Sequence, residues 1–180
     1  MKTTASIFHI LAAAVLLTVP AAAADLDALY DRLQDAPAED APQIEAEIFG
    51  EWQRSGSSAM DLLLQRGHKA LAAGDTDAAI SHFSALIDHA PDFAEGYNSR
   101  AAAFFQKGMF GPAIDDLAHV LTLDPRHFTA IAGLATMLEE MDRPKDAIRA
   151  YEAALAIHPH LAGVPEEVRR LRTELTGQEI

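Results

Sequence analysis

Pro91, Pro125 and Pro159 stand 34 residues apart along this 180-residue chain. Ala79, Ala113 and Ala147 keep the same step, each followed by an isoleucine: Ile80, Ile114 and Ile148. A fixed period of this length is the mark of a solenoid assembled from helix-turn-helix units, each of which buries its apolar face only against its neighbours. Such a stack presents a concave surface rather than an enclosed pocket, so the period directs attention to binding before catalysis.

The step divides the middle of the chain into units 60–93, 94–127 and 128–161. In each, an apolar stretch is split by a turn signal: Gly74-Asp75, Gly108-Met109 and Asp142-Arg143. Apolar residues at spacings of three and four then fall on one helix face. The second helices carry Ala79, Phe83, Leu86 and Ile87, then Ala113, Leu117, Val120 and Leu121, then Ala147, Tyr151, Ala154 and Leu155. The first helices carry Leu63, Leu64, Ala70 and Leu71, then Tyr97, Ala101, Phe104 and Phe105, then Ile131, Leu134, Ala135 and Leu138. Pro112 and Pro144 fall in first turns, where a missing N–H is no loss. Asp124-Pro125 reads as an N-cap followed by proline at the first helical position. The repeated alanines mark the closest crossing of the two helices in a pair.

The flanks complete the pattern. Leu26, Leu29, Tyr30 and Leu33 predict one amphipathic helix, and Ile44, Ile48, Phe49 and Trp52 a second, joined by the Pro37–Pro42 linker. Val164, Val168, Leu171 and Leu175 form a stripe on an otherwise polar helix ending at Gly177, the terminal cover that a solenoid needs. Residues 1–24 read as a secretory signal: Lys2, an apolar run from Ile7 to Val19, Pro20, and the small residues Ala22-Ala23-Ala24. The run of about 13 apolar residues falls short of the roughly 20 that span a bilayer. The expected organisation is therefore a signal over 1–24, a helical extension over 25–59, the three units, and a capping helix over 162–180.

Spaced residues of these units resemble the tetratricopeptide repeat family. In the first unit they are Leu63, Arg66-Gly67, Gly74, Ala79, Phe83 and Pro91; in the second, Tyr97, Ala101, Phe104, Gly108, Ala113 and Pro125. The third matches at Ile131, Ala135, Ala147, Tyr151 and Pro159, with Asp142 in place of the turn glycine. The resemblance implies an all-α, right-handed superhelical solenoid of three helix-turn-helix units, with an N-terminal helical pair resembling a degenerate opening unit. By the family's positional pattern the groove is lined by Asp61, Leu64, His68, Leu71 and Ala72, then Glu95, Asn98, Ala102, Phe105 and Gln106, then Thr129, Ala132, Thr136, Glu139 and Glu140. The lysines and arginines with which chaperone-binding members clamp a carboxylate are absent from all of these positions. The lining is acidic at its ends and apolar around Leu71 and Phe105, which suits an extended or helical segment with an aliphatic anchor and basic residues. Leu64, Leu71 and Phe105 are equally readable as plain core.

Other chemistries find little support. The chain has no cysteine, which excludes disulfides and thiol catalysis. Twenty-seven acids against 14 lysines and arginines give a net charge of −13, and loss of Lys2 with the signal adds one more negative charge. Such a chain repels nucleic acid and anionic lipid. His158 and His160 do not converge across Pro159, and His68, His119 and His127 lack a metal-ligand spacing. The histidines read as exposed or hydrogen-bonded helix residues. The acid pairs Asp115-Asp116, Glu139-Glu140 and Glu166-Glu167 point about 100° apart on their helices and read as solvated surface. Ser55, Ser57 and Ser58 with Gly56 read as a helix-ending turn. No nucleophile elbow or glycine-rich phosphate loop is present. The expectation is a non-enzymatic periplasmic or secreted adaptor or assembly factor without cofactor or metal, whose partner is a protein or peptide. The alternative is a self-assembling element whose groove takes a neighbouring subunit.

Overall fold

A computed structural model describes residues 21–177, with side chains from Leu26 onward. Most of the expected signal segment lies outside the described residues, and α1 begins at Ala21. The described chain is helical throughout: α1 (Ala21–Asp35), α2 (Ala41–Trp52), α3 (Ser58–Ala72), α4 (Thr76–His89), α5 (Ala94–Gln106), α6 (Phe110–Leu123), α7 (Phe128–Glu140), α8 (Pro144–Ile157) and α9 (Val164–Gly177). Pairs α3–α4, α5–α6 and α7–α8 stack in sequence order, and α9 covers α8.

The turns within the pairs explain the punctuation. After α3, α5 and α7 the chain closes by the same two backbone bonds. Gly74 N–H donates to Leu71 and Asp75 N–H to Ala70; Gly108 to Phe105 and Met109 to Phe104; Asp142 to Glu139 and Arg143 to Leu138. This is the Schellman arrangement, which needs a left-handed residue just past the helix. Gly74 and Gly108 supply it at φ +78° and +74°, and Asp142 is forced into the same region at +56°. Ala79, Ala113 and Ala147 are fully buried where the paired helices cross. In the first pair the approach is closer still at Gly67, where a Cβ would sit 2.2 Å from Cε1 of Phe83.

One expected cap is corrected. Asp124-Pro125 does not open α7. The Oδ1 atom of Asp124 accepts the Arg126 N–H within the turn, and the helix begins two residues later. His127 is its N-cap, with Nδ1 accepting the Ala130 N–H at 3.3 Å. Pro144 does stand at the head of α8.

The opening pair is the second correction. α1 and α2 form a hairpin, but they do not stack on α3 as a first unit would. Leu29, Tyr30, Leu33, Ile44, Ile48 and Trp52 share one apolar cluster with Phe128, Ile131, Ala135 and Leu138 of α7, Ile148 and Tyr151 of α8, and Val168 and Leu171 of α9. The clusters around α3, α4, α5 and α6 contain no described residue of the hairpin. The reason lies in what the two ends offer. The turn between α6 and α7 presents Asp124, Arg126, His127 and Phe128, and the hairpin has a partner for each.

Tyr30 donates its hydroxyl to Asp124, and Arg126 pairs with Asp27 and Asp31 while its guanidinium lies 4.6 Å from the Tyr30 ring centre. Burial, then the Asp124 carboxylate, push the Tyr30 phenol far above its ordinary range. The Trp52 indole N–H reaches the Tyr30 hydroxyl at 3.0 Å, and Phe49 packs on Phe128 with centroids 6.0 Å apart. At the next turn, His158 lies buried 3.6 Å from Glu45, and His160 meets the Ala36 carbonyl. His127 and His158 are thus both deeply buried. Of the expected exposed or hydrogen-bonded histidines, His127 is the hydrogen-bonded kind, whereas neither ring nitrogen of His158 has a partner.

Candidate partner-binding groove

The first helices of the pairs line one side of the stack, and an open pocket of about 290 Å³ lies there between α5 and α7. Its walls are Asn98, Ala102, Phe105, Thr129 and Thr136 from the expected set, together with Ala101, Leu117, Gly133 and Met137. The floor is apolar. The rim is polar: Asn98 donates to Glu95, and Thr136 hydrogen-bonds the Tyr151 hydroxyl at 3.0 Å. Gly133 belongs to this wall because a Cβ there would meet only the Leu117 side chain, at 3.8 Å. Its lack of a side chain is what leaves the pocket open.

A second, smaller recess of about 210 Å³ shares Asn98 and Thr129 with the first and is closed by Phe49 and Trp52 of α2 and by Gln53 just past its end, with Glu95 beside them. The end of α2 therefore forms one wall of the groove mouth, a role the sequence did not reveal. Glu95 accepts hydrogen bonds from Asn98 and from Ser99 at 3.1 Å each, and His127 Nε2 lies 3.3 Å away.

The remaining expected lining residues separate. Leu64 is core, buried with Ala79, Phe83 and Leu86, and Leu71 packs on the same cluster. His68 bridges α3 to α5 through the Ser99 hydroxyl at 2.8 Å and meets the Phe83 ring edge-on. Asp61 accepts from the backbone and hydroxyl of Ser55, which holds its carboxyl below the usual range and fixes the turn entering α3. Ala72, Gln106 and Glu140 are exposed, and Ala132 packs partly against the α7–α8 cluster. Glu139 is paired with Arg170 of α9, so the acidic far end of the groove is partly neutralised. The structure thus gathers Glu95, Asn98, Phe105, Thr129 and Thr136 into one place and leaves the α3 residues out of it. Gly133, Leu117 and Met137 read in the sequence only as helix and core positions.

A scan against models of known protein families finds no match. The chain is 34% identical over 153 residues to a TPR repeat-containing protein of Rhizobium etli, spanning 84% of this chain and 75% of that one. This chain belongs to the tetratricopeptide repeat family. Solved tetratricopeptide repeat structures share the fold at lower identity. The Sgt2 TPR domain from Aspergillus fumigatus superposes with a TM-score of 0.64 at 21% identity, over 68% of this chain and 83% of that domain. The first TPR of Spaghetti (RPAP3) bound to the HSP90 peptide SRMEEVD gives 0.62 at 22%, over 65% and 95%. In this chain the pocket of about 290 Å³ lies between the α5–α6 and α7–α8 pairs.

Proposed function

We propose that this chain is an exported adaptor or assembly factor that holds a protein segment in the groove between α5 and α7. The observation that carries the reading is the 290 Å³ pocket, apolar at Phe105, Leu117 and Met137 and left open by Gly133. A space of this size takes one aliphatic or aromatic side chain, while Asn98, Thr129 and Thr136 at the rim offer partners to an extended or helical backbone. The relative bound to SRMEEVD takes an acidic peptide. Here the groove positions contain no lysine or arginine, and Glu95 stands at the mouth, so the favoured segment carries an aliphatic anchor and basic residues. The signal pattern over residues 1–24 supports export, to the periplasm or outside the cell.

Peptides selected from a random library on the full chain test the reading. Selected sequences should share an aliphatic residue near lysine or arginine. Gly133→Leu, which fills the pocket, should weaken them at least tenfold. Unchanged binding to that variant would overturn the groove assignment. Cell fractionation tests the export separately: recovery of the chain with cytoplasmic markers would sink that part alone.

A further inference from the structure

The period shows which face of each unit's first helix meets the helix before it. In α5 that face is Gly96, Tyr97, Arg100 and Ala103. A Cβ on Gly96 would lie 3.3 Å from Ile87, Arg100 donates to the Ser84 hydroxyl at 3.1 Å, and Ala103 is buried with Phe83 and Leu86, all of α4. In α7 the same positions are Ala130, Ile131, Leu134 and Met137, of which Ala130 and Met137 are buried with Leu117 and Val120 of α6. One period earlier, in α3, they are Leu62, Leu63, Arg66 and Lys69.

No described helix covers them. The helix that the period would place there is α2, in which Gly50 is the counterpart of Ser84, and α2 is docked against α7 and α8 instead. Leu62 is consequently 45% exposed, with Leu63 half-buried beside it.

The charge on this face is also out of keeping with the chain. Among the described residues, every lysine and arginine makes an ion pair except Arg66, Lys69 and Lys145. Two of those three lie on the open α3 face of a protein of net charge −13. Arg100, the counterpart of Arg66, is held by Asp116 at 2.7 Å; the residue one period before Asp116 is His82, so Arg66 lacks that carboxylate.

We infer that the α3 face is a second docking surface, for an amphipathic partner helix that continues the stack, with aliphatic residues against Leu62 and Leu63 and a carboxylate over Arg66 and Lys69. It is separate from the α5–α7 groove and favours the opposite charge. The covered faces of α5 and α7 supply the geometry, and the two free cations select the occupant.

Stapled peptides of residues 110–126 of this chain, the helix that covers the equivalent face of α7, serve as probes against the full chain, read by fluorescence anisotropy. Ala118 is the counterpart of Ser84. The peptide bearing Ala118→Glu should bind at least tenfold tighter than that bearing Ala118→Lys. The gap should collapse in Arg66→Glu, both should be lost in Leu62→Glu, and Gly133→Leu should change neither. Equal affinity of the two peptides, or full binding by Leu62→Glu, would overturn the assignment. Self-association of the full chain that Leu62→Glu abolishes would also overturn it, by making the occupant a second copy.

Discussion

The imidazole of His127 lies flat against the indole of Trp52, with ring centroids 3.8 Å apart and planes 4° from parallel. One residue caps α7 and the other ends α2, so this contact joins the opening hairpin to the stack. The Trp52 ring also packs on Phe49 and Phe128, and its N–H is engaged by Tyr30. Trp52→Ala should cost about 3–5 kcal/mol. Hydrogen exchange should show α1 and α2 losing protection while α3 to α6 keep theirs; uniform loss across all helices would contradict hairpin docking as described.

Asp142 occupies a backbone region that costs most side chains about 1–2 kcal/mol and asparagine or aspartate less. Asp142→Gly should therefore stabilise the chain by about 0.5–1 kcal/mol, measured by urea denaturation. Gly74→Ala at the equivalent turn should do the reverse. A destabilised Asp142→Gly would mean that the carboxylate holds the turn by a bond not seen here.

Gly67→Ala should destabilise the first pair, because its methyl would overlap the Phe83 ring and the two helices cannot part without opening the α3–α4 core. The expected loss is about 1–3 kcal/mol. A second change, Phe83→Leu, should recover part of it if that overlap is the cause, and a double-mutant cycle reads the coupling.

Burial holds the His158 imidazole below its ordinary value, against the opposing pull of Glu45, and neither ring nitrogen has a hydrogen-bond partner in the fold. The folded state thus binds this proton less readily than the unfolded chain does. Stability is retained above the unfolded value of about 6.5 and falls as pH drops through and below it. Melting temperatures should decline from pH 7 to pH 5, and His158→Leu should flatten part of that slope. An identical slope in the variant would assign the acid sensitivity elsewhere.

The units were legible because their signals are local: the alanines at the crossings, the glycines past the first helices and the apolar stripes at helical spacing all act within a few residues of where they stand. The stripe on α9 was readable for the same reason. The destination of α1 and α2 was not. Their apolar residues specify that a face must be covered, but Tyr30 meets Asp124 across 94 positions and Trp52 meets it across 72, and no local pattern encodes either meeting. The cap of α7 was misread because aspartate before proline is a good opening in isolation. Here both carboxylate oxygens of Asp124 are engaged elsewhere, one with Arg126 and the other with Tyr30 and Trp52. Of the groove, the polar rim could be placed by repeat position, whereas Gly133 matters only through the space beside it.

The docking of the hairpin gives the chain an unusual order of assembly. A linear stack can grow from either end as each pair meets the next, and its contacts remain short in sequence. Here α1 and α2 precede the repeats in the chain, yet the surface that receives them is completed only when α7, α8 and the turn at His158 to Leu161 have formed. Tyr30, Leu33, Ile48 and Trp52 reach their native cover only once those later helices are in place. The earliest helices are the last to become committed, and the chain is most open to capture or aggregation during that interval.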